Sequence, residues 1–196
     1  CTGYRPILDA GQRMFELSAV APDHASTARL LEKLASDPPL AYTDAQGARC
    51  YAPRAVEQLA ALRESLPDAR LLAGCTDIGL WVNKQHKALP VLIATTSVAE
   101  LSRIETRADG TLSIGAGVTL EAAWGTLARR HPELTEMWLR FASPPVRHAG
   151  TMGGNVANGS PIGDSAPALL ALDASVVLRK GVRVRRMPLA EFVVDY

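Results

Sequence analysis

Residues 150–173 read Gly-Thr-Met-Gly-Gly-Asn-Val-Ala-Asn-Gly-Ser-Pro-Ile-Gly-Asp-Ser-Ala-Pro-Ala-Leu-Leu-Ala-Leu-Asp. So dense a run of glycine and asparagine, ending in a Ser/Asp-led apolar segment, reads as an irregular loop feeding a helix N-terminus. That geometry suits phosphate. Glycine lets backbone N–H groups approach a ligand with no Cβ in the way, and a helix end adds unsatisfied donors and a partial positive charge. An ordinary glycine-rich turn fits the same composition equally well, so the run alone leaves both meanings open.

The chain has 196 residues, 47% of them apolar, and a formal charge of +1. It is long enough for one substantial domain or two small ones. Near-zero charge gives no bulk attraction to nucleic acid or an anionic membrane, and no apolar run approaches the roughly 20 residues that span a bilayer. Arg5, Asp9 and Gln12 break up the first stretch, which excludes a signal-peptide pattern within it. Cys1, Cys50 and Cys75 are odd in number and widely spaced, which argues against a disulfide framework and for a reducing, cytoplasmic setting. A start on Cys1 and a stop within the apolar pattern Phe192-Val-Val-Asp-Tyr196 lead us to expect a piece of a longer protein.

Local patterning divides the chain. Residues 1–15 form a short segment carrying Ile7, Leu8, Met14 and Phe15. Residues 16–50 read as a connector with one helix around Ala28, Leu30, Leu31 and Leu34, bracketed by Pro22 and Pro38-Pro39, followed by the polar run Thr43–Arg49. Beyond it, Val56, Leu59, Leu62 and Leu66 recur at helical spacing. Ala69–Ala73 predicts a strand, Leu80–Val82 a helix reaching Lys84, and Val91–Ala94 a second buried strand. Ser97 and Glu100 fit a capping box that opens a short helix. This order implies a small parallel sheet with crossover helices over residues 51–100.

Residues 101–196 change character. Asp109-Gly110 between Ile104–Thr106 and Leu112–Ala116 signals a hairpin. Thr119 can cap a helix carrying Leu120, Ala123 and Leu127, and Pro132 starts another carrying Leu134, Met137 and Trp138. A helix follows near 165–172. A second hairpin pairs Ser175–Arg179 with Val182–Arg185, and its alternating arginines and valines predict one solvated face and one packed on a core. The fold class expected is therefore α+β with two lobes, a small α/β lobe and one with an antiparallel sheet and helices. A ligand between them is the natural expectation.

Leu71-Leu72-Ala73-Gly74-Cys75-Thr76-Asp77-Ile78-Gly79 runs from a strand into a tight turn whose backbone donors can form a concave anion nest. It matches neither G-x-G-x-x-G nor G-x-x-x-x-G-K-[ST]. By itself, a plain strand–turn–helix corner is its commoner meaning. Combined with Gly153-Gly-Asn-Val-Ala-Asn-Gly-Ser-Pro-Ile-Gly-Asp164, Ile114-Gly-Ala-Gly-Val-Thr119 and Arg140-Phe-Ala-Ser143, it resembles the flavin-binding domain of the molybdenum-containing hydroxylases, nearest their bacterial xanthine dehydrogenase-type small subunits. The resemblance runs from about residue 51 to the end.

This resemblance implies an FAD-binding domain whose 71–79 turn wraps the pyrophosphate. It places Phe141 beside the isoalloxazine or dinucleotide, lines a second phosphate loop with Thr151, Gly154, Asn155 and Asn158, and gives Asp164 the ribose or adenine-side hydroxyls. Asp164 could also cap the following helix, and the two roles are compatible. Cys1-Thr-Gly-Tyr-Arg-Pro-Ile resembles the end of a 2Fe–2S domain, with Cys1 the last of the cluster ligands; one thiolate cannot hold a cluster alone. The implied layout is residues 1–15 as a 2Fe–2S remnant, 16–50 as linker, and 51–100 and 101–196 as the two FAD lobes. The implied function is electron transfer from 2Fe–2S centres through FAD to NAD, beside a partner large subunit carrying the molybdenum cofactor. The fragment alone is expected to be inactive, with no catalytic side chain of its own. Cys75 stands where bacterial relatives usually carry glycine, so either the turn is remodelled or its backbone stays in an allowed region.

Two other function classes fit the same residues. One is a different hydroxylase or flavoenzyme sharing the fold; the other is a non-enzymatic nucleotide-binding module. His24, His86, His131 and His148 lack ligand spacing and read as surface or structural residues, with His148 adjoining the glycine-rich loop. The run from Arg179 to Arg186 reads as a solvated hairpin face, and Trp81, Trp124 and Trp138 as core.

Overall fold

The computed structural model describes residues 3–193 and divides at Pro38–Pro39 into two units. Cys1, the expected cluster ligand, lies outside the described residues.

The first unit holds two helices. α1 (Tyr4–Arg13) forms where only a short apolar segment was expected; Pro6 sits in its first turn, where a missing N–H is tolerated, and Arg5 pairs with Asp9 at 2.9 Å one turn later. α2 (His24–Ser36) covers the expected connector helix, capped by Asp23 Oδ1, which accepts from the Ser26 N–H at 2.9 Å.

The second unit begins with a four-stranded sheet. β1 (Leu40–Thr43) and β2 (Arg49–Ala52) form an antiparallel hairpin within the stretch read as connector. Asp44 closes it, its Oδ1 accepting from the Gln46 and Ala48 N–H groups at 2.9 and 2.8 Å. β1 is exposed along its whole length, so no alternation betrays it. After α3 (Val56–Ser65), β3 (Arg70–Leu72), α4 (Ile78–Asn83) and β4 (Val91–Ala94) complete the sheet in the order β1-β2-β4-β3, with β4 parallel to both β2 and β3. The predicted parallel sheet is present, with the hairpin strand added at its edge. Ala60, Ala69, Ile93 and Val98 are buried in this lobe.

The expected capping box at Ser97 and Glu100 is not made. Ala99–Ser102 is a single 3₁₀ turn whose N-cap is Val98, with no side-chain cap. Glu100 is drawn away because α3 offers an orphan donor: Glu100 Oε1 accepts from the Val56 N–H at 3.3 Å.

The second lobe is built around α5. β5 (Ile104–Thr106) and β6 (Leu112–Ile114) pair antiparallel across the Asp109-Gly110 turn. Thr119 Oγ1 then accepts from the Ala122 N–H at 3.2 Å and starts α5 (Leu120–Arg130). α6 (Thr135–Arg140), α7 (Pro144–Ala149), α8 (Met152–Asn158) and α9 (Ser165–Ala171) follow. β7 (Ser175–Lys180) and β8 (Arg183–Pro188) form the last hairpin, and α10 (Leu189–Phe192) closes the described chain. Leu120, Ala123, Trp124 and Leu127 of α5 pack with Phe141, Met152, Val156, Ala168 and Leu189 into one core. Trp124, fully buried at its centre, is worth about 4 kcal/mol if truncated to Ala.

Two expectations fail here. The β7–β8 hairpin does not pack one face on a core: Val177, Val182 and Val184 are 59%, 93% and 62% exposed, and only Val176 beside α10 reaches the cluster. Of the tryptophans, Trp124 is fully buried and Trp138 packs half-buried against the same core, whereas Trp81 does not join it. Trp81 is half-buried at the surface, its ring flanked by Arg70 at 5.7 Å and Lys87 at 4.9 Å; cations over an indole face are favourable there.

Candidate dinucleotide-binding site

The quoted segments converge in the second unit. A Cβ on Gly74 would lie 2.7 Å from the Gly150 Cα and against the Ala149 carbonyl, so the 71–79 turn and the start of the 150–164 segment meet backbone to backbone. Only glycine permits that approach. Likewise a Cβ on Gly153 would lie 2.7 Å from the Ala116 Cα. Hydrogen bonds fasten the same seam: Leu120 N–H to Gly150 O at 2.8 Å, Met152 N–H to Val118 O at 2.8 Å and Gly153 N–H to Ala116 O at 2.9 Å. Thr119 and Thr151 form an antiparallel bridge across it.

In the first loop, Leu71, Cys75 and Asp77 are exposed, while Leu72, Ala73, Gly74, Thr76, Ile78 and Gly79 are half-buried. The helix α4 starts inside the predicted loop, at Ile78, with the Asp77 carbonyl accepting from Leu80 and Trp81. The N–H groups of Gly74, Cys75, Thr76 and Asp77 donate to no acceptor among the described residues. Cys75 sits at φ 62°. A residue with a Cβ thus takes up the small left-handed region where glycine is favoured. That conformation costs roughly 1 kcal/mol or more and is one a run of N–H groups adopts to form a concave nest.

The 150–164 segment is not an irregular loop throughout. Thr151 caps the short helix α8, accepting from the Gly154 N–H at 3.1 Å, and Gly159 ends it at φ 64°. The donors of its first turn are all engaged: Met152 and Gly153 on the 116–118 segment, Gly154 on Thr151 Oγ1, and Asn155 on the Thr151 carbonyl at 2.9 Å. What this half offers is side chains. Asn155 Oδ1 and Ser165 Oγ are buried without a partner among the described residues. Asp164 occupies the N-cap of α9 without a side-chain cap bond, so its carboxylate is not spent on the helix. Asn158 is exposed at the end of α8 and Thr151 is buried.

Phe141 is 9% exposed, with its ring centroid 5.9 Å from that of Trp124. Next to it, Ala142 holds φ 47°. Arg147, 6% exposed, was not singled out from the sequence. Its Nε donates to Glu121 Oε2 at 2.5 Å and its Nη1 to the carbonyls of Phe141 and Ala142 at 2.8 and 3.2 Å. The Arg147 guanidinium holds the Glu121 carboxyl below the usual carboxylate range. His148 is exposed beside them. Among the described residues no cluster of His, Cys, Asp and Glu could hold a metal ion, and no helix is long and apolar enough to cross a membrane.

A turn whose backbone donors find no acceptor among the described residues thus meets, at a seam only glycine permits, a segment that carries unpartnered buried polar side chains. The chain belongs to the family of FAD-binding domains of molybdopterin dehydrogenases: residues 44–196 match the family described as the FAD binding domain in molybdopterin dehydrogenase.

The chain is 32% identical over 128 residues to the xanthine dehydrogenase FAD-binding subunit of Escherichia coli O157:H7, covering 64% of this chain and 44% of that subunit. It is 33% identical over 135 residues to the xanthine dehydrogenase of Drosophila subobscura, covering 63% of this chain and 10% of that enzyme. The structure resembles a chain of carbon monoxide dehydrogenase from Hydrogenophaga pseudoflava, with a TM-score of 0.68 and 28% identity over 81% of this chain and 54% of that one. It also resembles quinoline 2-oxidoreductase from Pseudomonas putida 86, with a TM-score of 0.66 and 26% identity. The chain thus spans less than half of the E. coli subunit and about half of each structural neighbour.

Proposed function

We propose that this chain holds FAD between its two lobes as the flavin portion of a xanthine dehydrogenase-type electron-transfer enzyme. The observation that carries the reading is complementarity: free N–H donors at Gly74, Cys75, Thr76 and Asp77 call for an anion, while the buried Asn155 Oδ1 calls for a donor such as a hydroxyl. A dinucleotide with a pyrophosphate and hydroxylated linkers supplies both.

In this assignment the Leu71–Gly79 turn holds the pyrophosphate. Thr151, whose hydroxyl oxygen already accepts from Gly154, keeps its proton to donate to a ligand. Asn155 and Asn158 line the opposite wall, Asp164 accepts from ribose hydroxyls, and Phe141, braced by Trp124, borders the isoalloxazine. The chemistry supplied by FAD when bound is electron relay, from 2Fe–2S centres to NAD as hydride. The chain's own part is to bind, orient and exclude water, with no side chain acting as acid or base. Residues 1–15, ending a 2Fe–2S domain with Cys1 as a ligand, a linker from residue 16 that ends where the β1–β2 hairpin joins the sheet, and a molybdenum-cofactor subunit as partner complete the proposed layout, in which substrate hydroxylation takes place on that partner.

The test is competitive titration of the chain with FAD and ADP, followed by flavin fluorescence and calorimetry. FAD is expected to bind at least about tenfold more tightly than ADP, because the isoalloxazine half adds contacts. Equal affinity for the two, or no FAD uptake by folded protein, overturns the flavin assignment in favour of a simple nucleotide module.

A further inference from the structure

We infer that Arg147 is the positioning residue of the flavin-side turn. It locks Phe141–Ser143 in the one backbone arrangement that can border the isoalloxazine. This inference rests on the FAD reading above and adds a residue to it.

The turn is not self-supporting. Ala142 sits at φ 47° without being glycine, a conformation that persists only when the surroundings over-determine it. Two successive carbonyls, Phe141 O and Ala142 O, accept from the same guanidinium nitrogen at 2.8 and 3.2 Å. Arg147 lies on α7, immediately past the turn, and is itself fixed from a third element by Glu121 in the first turn of α5. A carboxylate there is also favoured by the helix dipole. The planar fork therefore ties α5, the turn and α7 together with one buried charge. Lysine carries the charge but lacks the fork. Because Trp124 of α5 braces the Phe141 ring, releasing the carbonyls frees the Phe141 backbone while the ring stays anchored.

The residue is tested in the full chain with Arg147→Lys, Arg147→Met and the double variant Arg147→Lys/Ala142→Gly. Readouts are the FAD dissociation constant, the visible circular dichroism of bound flavin, and apo thermal unfolding. Arg147→Lys is expected to weaken FAD about tenfold or more and to change the flavin circular dichroism. Adding Ala142→Gly should restore both, because glycine adopts φ 47° without support. A loss that Ala142→Gly does not rescue, or flavin binding and dichroism unchanged in Arg147→Lys, overturns the positioning role. Should Arg147→Met fail to fold, the Lys pair still decides. Failure of the unmodified chain to bind FAD would instead strike the flavin reading.

Discussion

The two halves of the proposed clamp solve the same problem by different chemistry. The 71–79 turn offers backbone: unengaged N–H groups from Gly74 to Asp77, shaped by a strained Cys75 at φ 62°. The 150–164 segment has consumed the donors of α8 internally and offers side chains instead, with Asn155 Oδ1 and Ser165 Oγ buried and unpartnered. In the proposed assignment phosphate binding therefore falls to the first half and hydroxyl recognition to the second, although glycine density alone points to the second as the phosphate site.

The most severe way to break this comparison is to force the halves apart. Gly74→Val places a branched side chain against the Ala149 and Gly150 backbone, which cannot repack as a side chain would. Destabilisation of about 3 kcal/mol is expected, with loss of FAD binding, measured by urea unfolding and titration. A silent Gly74→Val would mean the loops do not meet as described.

How much of this was legible in the sequence follows from the range of each signal. Helices α3, α5 and α9, strands β3 and β4, and both later hairpins announce themselves through local periodicity and turn residues, and the motif segments led to the right family and fold class. The β1–β2 hairpin was hidden because Asp44-Ala-Gln-Gly47 lacks the usual two-residue hairpin dipeptide and β1 is uniformly exposed. α8 was hidden because Gly153, Gly154 and Asn155 are weak helix formers; Thr151 three residues before Gly154 was the available capping signal. Arg147 could not be found locally, since its meaning depends on Glu121, 26 residues away.

A sharper separation comes from Asn155→Ala. If Asn155 Oδ1 serves the ligand, removing it should lower FAD affinity about tenfold and leave apo stability unchanged or raised by up to about 1 kcal/mol, because an unpaired buried acceptor is lost. Equal losses in both assays would make Asn155 merely structural.

The strained half responds in the opposite sense. Cys75→Gly should stabilise the apo chain by about 1 kcal/mol or less, relief of the left-handed penalty being offset by the entropy of glycine. Pyrophosphate binding should be retained, whereas Cys75→Val should be destabilising.

The smallest expected effect is on pH. Glu121 has its folded pKa held below the ordinary 4.5 by Arg147, with His148 the other positive neighbour. The pair therefore adds stability above that value and loses it as pH falls from 4.5 through the depressed pKa. Thermal melts across that range should show a steeper acid decline in the parent chain than in Glu121→Gln.

The most direct measurement is amide chemical-shift perturbation with inorganic pyrophosphate and then FAD. The division of labour predicts that pyrophosphate moves the Gly74, Cys75, Thr76 and Asp77 amides and leaves those of Met152, Gly153, Gly154 and Asn155 in place. FAD should move the first set and the Asn155 side-chain amide together. Pyrophosphate shifts confined to α8, with the 74–77 amides unmoved, would contradict it.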